Sequence, residues 1–275
     1  MIKIGEYNTL IAAKESTHGW YLRDEDEEVL LPHIDVSENI NPGQELTVFC
    51  YLDSLERLVA TTRTPYITRG GFAALKVMEV NKVGAFLDWG LEKQLLLPFK
   101  EQTQPVQAGK KYVVYCYLDN HSGRLVASTR IHRFLQHDEI DLQPLEEVEL
   151  MVVRNTDLGM EVLINGKYLG LVYTNELFEE YQAGQILEGQ IKLIREDKKI
   201  DVTIRKTGLS HTEKNANKIY EMLEARNGFL PFHDKSNPSE IREYFKMSKK
   251  DFKKAIGKLY REKHIILEEK GIRMV

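Results

Sequence analysis

The sequence lacks any apolar run close to the ~20 residues that a membrane-spanning helix requires. Its first seven residues contain neither a long apolar core nor a small-residue cleavage site, so we expect no secretory signal. Charged residues make up 29% of the chain, a fraction typical of soluble proteins. Together these features predict a cytoplasmic protein without a membrane partner.

Cysteine is scarce, with Cys50 and Cys116 the two examples in 275 residues. They occupy matching positions of two internal repeats, so we expect no disulfide between them. Two thiols do not complete a four-ligand zinc site, and no nearby histidine pair has metal-binding spacing. We therefore expect two small buried side chains and no bound metal.

Sequence motifs for catalysis are also absent. The chain has no Gly-x-Ser-x-Gly, no P-loop, no His-Glu-x-x-His and no dinucleotide fingerprint. Its eight histidines have no cysteine or aspartate partner at useful spacing. The sequence thus predicts a protein that is not an enzyme and needs no cofactor.

Charge is distributed unevenly along the chain, although the net value is only −4. Residues 206–275 contain 16 basic and 10 acidic residues, a net charge of +6, and residues 1–205 carry −10. A basic C-terminal segment on an acidic body indicates that one face meets polyanions.

Three segments of the chain resemble one another: residues 42–63, 108–130 and 183–205. The first two share Cys-Tyr-Leu-Asp and end in Arg-Leu-Val-Ala-x-Thr-Arg, and the third keeps the glycine, the alternation and the final arginine. Each alternates β-branched and aromatic residues with other residues around a polar turn, as a β-hairpin does.

The halves preceding these hairpins match as well. Each has a glycine (Gly19, Gly84 or Gly159) that opens an alternating strand, followed by an apolar strand end. Five short strands in roughly 65 residues predict a five-stranded OB-type barrel. We expect barrels at residues 1–65, 66–136 and 137–207.

Residues 208–275 change from a period of 2 to a period of 3.6, which indicates helices. Thr212, Asn237 and Ser248 are expected to cap three helices, and residues 264–275 are expected to form a hairpin. Helix, helix, helix and hairpin make a winged helix-turn-helix. The predicted fold is therefore mainly β, with a C-terminal α+β domain.

Several of these segments are similar to a known family. Gly170–Leu177 resembles the Gly-Leu-Val-His-x-Ser-Glu strand end of S1 RNA-binding domains, and Val83–Leu87 resembles their Gly-Ala-Phe-Val strand. Residues 229–235 and 247–259 resemble the C-terminal motif of the conserved virulence factor B family of bacterial S1-domain proteins. The similarity extends over essentially the whole chain. It implies a non-enzymatic RNA-binding regulator of virulence factor expression that acts after transcription.

The S1 resemblance also implies an RNA-binding face in each barrel, because single strands are held by aromatic stacking over a basic groove. In the first two barrels this face maps onto Tyr21, His33, Arg63, Phe86, Phe99 and Arg130, with Trp89 as an extension of the second platform. In the third barrel it maps onto Tyr173 and Arg205, while Glu161 departs from the pattern because a carboxylate repels phosphate.

The predicted third helix of the winged domain is basic, and it occupies the recognition-helix position of that fold. We expect it to contact nucleic acid. Its candidate residues are Lys249, Lys250, Lys253, Lys254, Lys258 and Arg261.

The three barrels differ in charge. Residues 66–136 hold 10 basic and 5 acidic residues, against 5 and 12 in residues 1–65 and 7 and 15 in residues 137–205. Because phosphate neutralisation dominates affinity, we expect the middle barrel to bind single-stranded RNA.

Two alternatives remain open. The winged helix could bind DNA as a transcription factor, although Arg261 is the one base-reading residue among Asn, Gln and Arg in its third helix. The acidic barrels could instead recruit a basic protein, for example a ribosomal protein.

Overall fold

The computed structural model of the chain describes residues 1–36, 39–136, 139–177, 180–204 and 211–275, apart from the side chains of residues 211 and 213. The chain divides into two compact units, Met1–Glu139 with Gly166–Tyr168 and Ile140–Asn165 with Leu169–Val275. Within the part of the chain that is described, no helix is both long and apolar enough to cross a membrane.

Three closed five-stranded barrels account for most of the structure. The first contains β1 (Tyr7–Ser16), β2 (Gly19–Arg23), β3 (Glu28–Pro32), β4 (Glu45–Leu52) and β5 (Leu58–Thr61). The second contains β6 (Phe72–Val80), β7 (Gly84–Asp88), β8 (Leu95–Pro98), β9 (Lys111–Asp119) and β10 (Arg124–Ser128). The third contains β11 (Glu147–Thr156), β12 (Gly159–Ile164), β13 (Tyr168–Tyr173), β14 (Ile186–Ile194) and β15 (Ile200–Ile204).

All three barrels have the same topology, which confirms the predicted repeat. In the first barrel the strand order is β1-β2-β3-β5-β4, and β4 pairs with β1 to close the sheet. The third and fifth strands run parallel, as in an OB fold, and the other pairs are antiparallel. The first strand of every barrel has a bulge, at 12/14, 77/79 and 152/154, which bends it round the core.

A glycine at the start of each second strand lies against the backbone of the third strand. Gly19, Gly84 and Gly159 have φ of +147°, +154° and +153°, a region that side chains disfavour. A Cβ on them would lie 2.1 Å, 2.4 Å and 2.1 Å from a carbonyl oxygen of the third strand. These oxygens belong to Leu31, Leu97 and Val172. Only glycine therefore allows the second and third strands to approach this closely.

The first two barrels share a core. Alternation along β4 turns Cys50 into the first barrel and turns Phe49 and Tyr51 toward the second. The ring centroid of Trp89, in the loop after β7, lies 5.8 Å from that of Phe49 and 6.0 Å from that of Tyr51. Because these side chains are buried together, the two barrels form one packed body rather than separate modules.

The two cysteines are free and buried, as the sequence predicts. Burial raises the pKa of the Cys50 and Cys116 thiols to about 12. At neutral pH both are therefore uncharged thiols that pack as small apolar groups.

The C-terminal domain contains α1 (His211–Glu224), β16 (Phe229–Leu230), α2 (Pro238–Phe245), α3 (Lys249–Arg261), β17 (Ile265–Glu268) and β18 (Gly271–Met274). The predicted caps of the second and third helices are confirmed. The Asn237 side chain accepts a hydrogen bond from Ser239 N, and the Ser248 side chain accepts one from Asp251 N. The domain is a winged helix whose core lies between the three helices and the sheet.

Two details differ from the sequence prediction. Helix α1 begins at His211, so Thr212 lies inside its first turn and is not its cap. The wing has a third strand, β16, which pairs with β18; two residues were too few to show a strand pattern. Of the predicted domain limits, 207/208 lies outside the described residues and 136/137 lies at their edge.

We call Gly19, Gly84 and Gly159 the strand-contact glycines, and replacing one of them should destabilise its barrel. We expect Gly84→Ala to lower the free energy of unfolding by about 2–4 kcal/mol, since it adds backbone strain and an overlap with the Leu97 carbonyl. The matched control is Gly109→Ala, at φ +85° with nothing within 4 Å of a Cβ, which should cost about 1 kcal/mol. Urea unfolding measures both, and equal losses would show that the close contact is unimportant.

Candidate nucleic-acid interface

The strand-contact glycine fixes the first candidate position in each barrel. Two residues after it stand Tyr21, Phe86 and Glu161, all half-buried on the outer face. The neighbouring Leu22 and Leu87 are fully buried and fill the cores, as alternation predicts. The structure therefore places these three candidate residues on an outward surface.

A short 3₁₀ helix carries the second candidate position. These helices are His33–Asp35, Phe99–Glu101 and Thr174–Glu176, and each follows the third strand of its barrel directly. His33 and Phe99 are both exposed first residues of such a helix, and 52% of Phe99 is accessible. Phe99 thus offers an accessible ring at the end of the second barrel.

The predicted equivalence of Tyr173 with these residues is wrong by one position. The glycine contact pairs Gly159 with Tyr173, as it pairs Gly19 with Pro32 and Gly84 with Pro98. The residue that corresponds to Phe99 is therefore Thr174, which has no ring. Tyr173 is half-buried, and its ring lies 5.9 Å from Lys192 Nζ and 5.8 Å from the Arg195 guanidinium.

In the first two barrels the arginine that ends the repeat lies beside the 3₁₀ helix. Arg63 Nε is 2.7 Å from Asp35 Oδ1, so its charge is already paired. Arg130 Nε donates to the Lys100 carbonyl at 2.8 Å and remains exposed. The third arginine, Arg205, lies outside the described residues.

An acidic side chain on the 3₁₀ helix holds the barrel end together. The carboxylate of Glu101 is buried and lies 3.3 Å from Arg133 Nη1. Burial opposes ionisation, but hydrogen bonds from Ser128 and Tyr117 and the charge of Arg133 outweigh it and lower the pKa of Glu101. Burial raises the pKa of Asp35, its equivalent in the first barrel. These two acids therefore have structural roles. Because Glu101 pairs with Arg133 and not with Arg130, the Arg130 guanidinium stays available to a ligand.

Trp89 does not belong to the exposed face. Its side chain is 2% accessible, it packs between Phe49 and Tyr51, and its indole N–H donates to the Lys93 carbonyl. The alternation of β7 does not extend into the loop that holds this ring. The expectation that Trp89 extends the stacking platform is therefore corrected: it is a core residue.

The outer barrels present paired charges at the same positions. In the third barrel Glu161 is held by Arg154. In the first barrel the Lys14 ammonium lies 4.9 Å from the centre of the Tyr21 ring and 3.5 Å from Glu28. In its acidic turn Glu27 accepts a hydrogen bond from Ile2 N. These contacts give Glu27, Glu28 and Glu161 local structural roles.

A cluster of four rings on the second barrel was not predicted from the sequence. Tyr115 stacks on Phe134 with centroids 4.1 Å apart, while Tyr117 lies 5.3 Å from Phe134 and Phe72 lies 4.8 Å from Tyr115. Alternation around Cys116 is the signal that could have found it, because Tyr115 and Tyr117 correspond to Phe49 and Tyr51. Their mutual packing makes them structural rather than open stacking rings.

The basic residues of α3 fall into two groups. One stripe follows i, i+3, i+4, i+7, i+11 spacing along the helix, and we call it the basic stripe. It contains Lys250, Lys253, Lys254 and Arg261, with Gly257 at the i+7 position. Within the described chain, Lys250 and Lys254 have no ion-pair partner, and Lys253 Nζ lies 3.8 Å from Asp234.

The remaining two predicted residues flank this stripe. Lys249 is half-buried and donates to the Ser236 carbonyl at 2.8 Å. Lys258 lies 3.2 Å from Glu262. These contacts tie both ammonium groups to the domain itself, so the stripe contains the charges that are most available.

Metal binding has no visible basis in the part of the chain that the structure describes, where no group of three or more His, Cys, Asp or Glu side chains could hold an ion.

Comparisons with protein families match two domain types in this chain. The S1 domain family matches residues 4–63 and 70–130, and the CvfB-like winged helix domain family matches residues 217–274. Both are nucleic-acid-binding domain types. The matches cover the first barrel, the second barrel and the winged domain.

Curated relatives extend over nearly the whole chain. An uncharacterized protein, YitL, from Bacillus subtilis is 30% identical over 274 residues, which cover 96% of this chain and 91% of the relative. Conserved virulence factor B from Staphylococcus epidermidis is 29% identical over 255 residues, covering 88% and 85%.

One solved structure also aligns along the chain. It is a multidomain protein with nucleic acid binding domains from Streptococcus pneumoniae, at 22% identity and a TM-score of 0.47, covering 99% of this chain and 98% of its own.

Proposed function

Because the chain belongs to the conserved virulence factor B family, we propose that it binds single-stranded RNA through its second barrel and the basic stripe of α3. In this proposal it is a non-enzymatic, cytoplasmic regulator that acts after transcription. The first and third barrels contribute little direct affinity.

One observation carries the proposal. Only in the second barrel do the described candidate positions combine two rings with an exposed arginine free of an acidic partner. These are Phe86 on β7, Phe99 on the 3₁₀ helix and Arg130 beside it. Gly84 lies opposite Pro98, so the two rings are about three residues apart along the strand direction, ~10 Å. Two bases of one strand could stack on them while a phosphate meets Arg130.

The α3 surface supports backbone contact rather than base reading. Lysines dominate the basic stripe, and lysine neutralises phosphate without reporting sequence. Tethering a weak site on the barrel to a weak site on the helix raises total affinity through effective concentration.

Removing one ring and reversing one charge should weaken RNA binding for different reasons. We expect Phe99→Ala to weaken binding of a labelled single-stranded RNA about 5–100-fold, since stacking contributes ~1–3 kcal/mol per base. We expect Lys254→Glu to weaken it less and to lower the slope of log affinity against log salt by about 1. Fluorescence anisotropy at several salt concentrations measures both.

The matched controls are His33→Ala, at the equivalent position of the first barrel, and Lys218→Glu, an exposed lysine of α1. Both should bind within about twofold of the parent. Tighter binding of duplex DNA than of single-stranded RNA, or no effect of Phe99→Ala, would contradict the proposal.

Gly257 gives a further check on the basic stripe. A glycine inside a helix costs about 0.5–1 kcal/mol relative to alanine, yet a Cβ here would meet nothing within 4 Å. Packing does not explain the glycine, whereas close approach of a phosphate to the helix backbone would.

We therefore expect Gly257→Ala to raise the free energy of unfolding by about 0.5–1 kcal/mol. Gly257→Leu should also leave the fold stable but weaken RNA binding at least fivefold, because its side chain holds the strand away from the helix. Urea unfolding and anisotropy measure the two effects. An unchanged RNA affinity for Gly257→Leu would show that the basic stripe is not part of the interface.

A further inference from the structure

A cleft of about 470 Å³ opens inside the first compact unit, where the two barrels meet. One wall is the β4–β5 turn of the first barrel, including Ser54. The other wall comes from β7, β8 and β10 of the second barrel and includes Phe86 and Gln94. The volume is within the range of small-ligand pockets, and neither barrel alone would create it.

The walls of this cleft are held in place by the packed body. Lys93 Nζ donates to the Asp53 carbonyl at 2.6 Å, which ties the loop after β7 to the β4–β5 turn. Arg124, at the start of β10, forms an ion pair with Glu56 of the same turn. The Trp89 ring packs against Phe49 and Tyr51 of the first barrel. These contacts within the protein therefore fix the walls of the cleft.

The lining suits a flat apolar ring with polar edges. Phe86 presents a half-buried ring, and Val83, at the rim, is 58% exposed without packing against a core. Among the described residues, neither the Ser54 hydroxyl nor the Gln94 amide has a hydrogen-bond partner. An amide places a donor beside an acceptor, which matches the edge of a nucleobase.

The lining carries two positive charges, Lys93 and Arg124, and one negative charge, Glu92. Arg124 and Glu56 are both about half exposed, and an exposed ion pair of this kind contributes little stability, so Arg124 can turn to another anion. A phosphate next to a base in the cleft would lie near this guanidinium.

We propose that the cleft receives one unstacked base of the bound RNA, with Phe86 as the stacking ring and Ser54 and Gln94 facing the edge of the base. This inference rests on the proposed function and makes it more specific. The first barrel then does not bind RNA through its own S1-type face; instead it supplies a wall of the site on the second barrel.

The test fills the cleft from the side of the first barrel. Ser54→Trp in the full chain places an indole where the base would lie, and we expect it to weaken binding of a ten-nucleotide RNA at least tenfold at fixed salt. Leu55→Trp adds the same group to the neighbouring residue of the turn, which is exposed and does not line the cleft. It should bind within twofold of the parent.

A second measurement does not depend on a variant. RNA carrying 4-thiouridine at single positions is photo-crosslinked to the unaltered protein, and the crosslinked peptides are mapped. We expect a crosslink to the peptide that contains Ser54, which binding to the second barrel alone would not give.

The possible outcomes separate the inference from the function on which it rests. If RNA binds, depends on Phe99, and is unaffected by Ser54→Trp, with no crosslink to the Ser54 peptide, the cleft inference is overturned and the function stands. If the unaltered protein does not bind RNA, both fail.

Discussion

One close contact positions the candidate binding residues of each barrel. The glycine that begins the second strand lies against a carbonyl oxygen of the third strand, at a distance that excludes a side chain. This contact fixes the register of the two strands. Register in turn decides which side chains point outward, so it places Phe86 on the surface and sets Phe99 at the head of the 3₁₀ helix. Because all three barrels have this contact, corresponding residues lie at equivalent positions in each.

The side chains at these equivalent positions differ between the barrels. The middle barrel carries two rings and an available arginine, whereas the first pairs Arg63 with Asp35 and the third places Glu161 where a ring would be needed. The first barrel has a different use, because Phe49 and Tyr51 turn outward and bury Trp89 of its neighbour. The first barrel thus packs against the second, and the second carries the candidate binding residues.

Much of this was predictable from the sequence, since strand alternation, hairpin turns and helix caps are local signals. The three barrels, their strand count and the winged domain follow from such signals. Three features do not follow from them. Trp89 is buried by a neighbouring barrel, and the cleft needs two barrels. Tyr173 lies one position before the residue that corresponds to Phe99, because the third repeat has no proline to mark the end of its strand. The burial of Trp89 and the cleft depend on contacts between residues far apart in the chain. A local pattern does not encode such contacts.

The central claim is that one of three similar barrels, together with α3, holds the RNA. Backbone amide hydrogen exchange of the full chain, with and without saturating single-stranded RNA, tests it most directly, because every barrel is compared in the same sample. The account predicts slower exchange in β7, β8, residues 99–101 and α3, with β2–β3 and β12–β13 unchanged. Slowing in β2–β3 or β12–β13 without slowing in β7–β8 would contradict it.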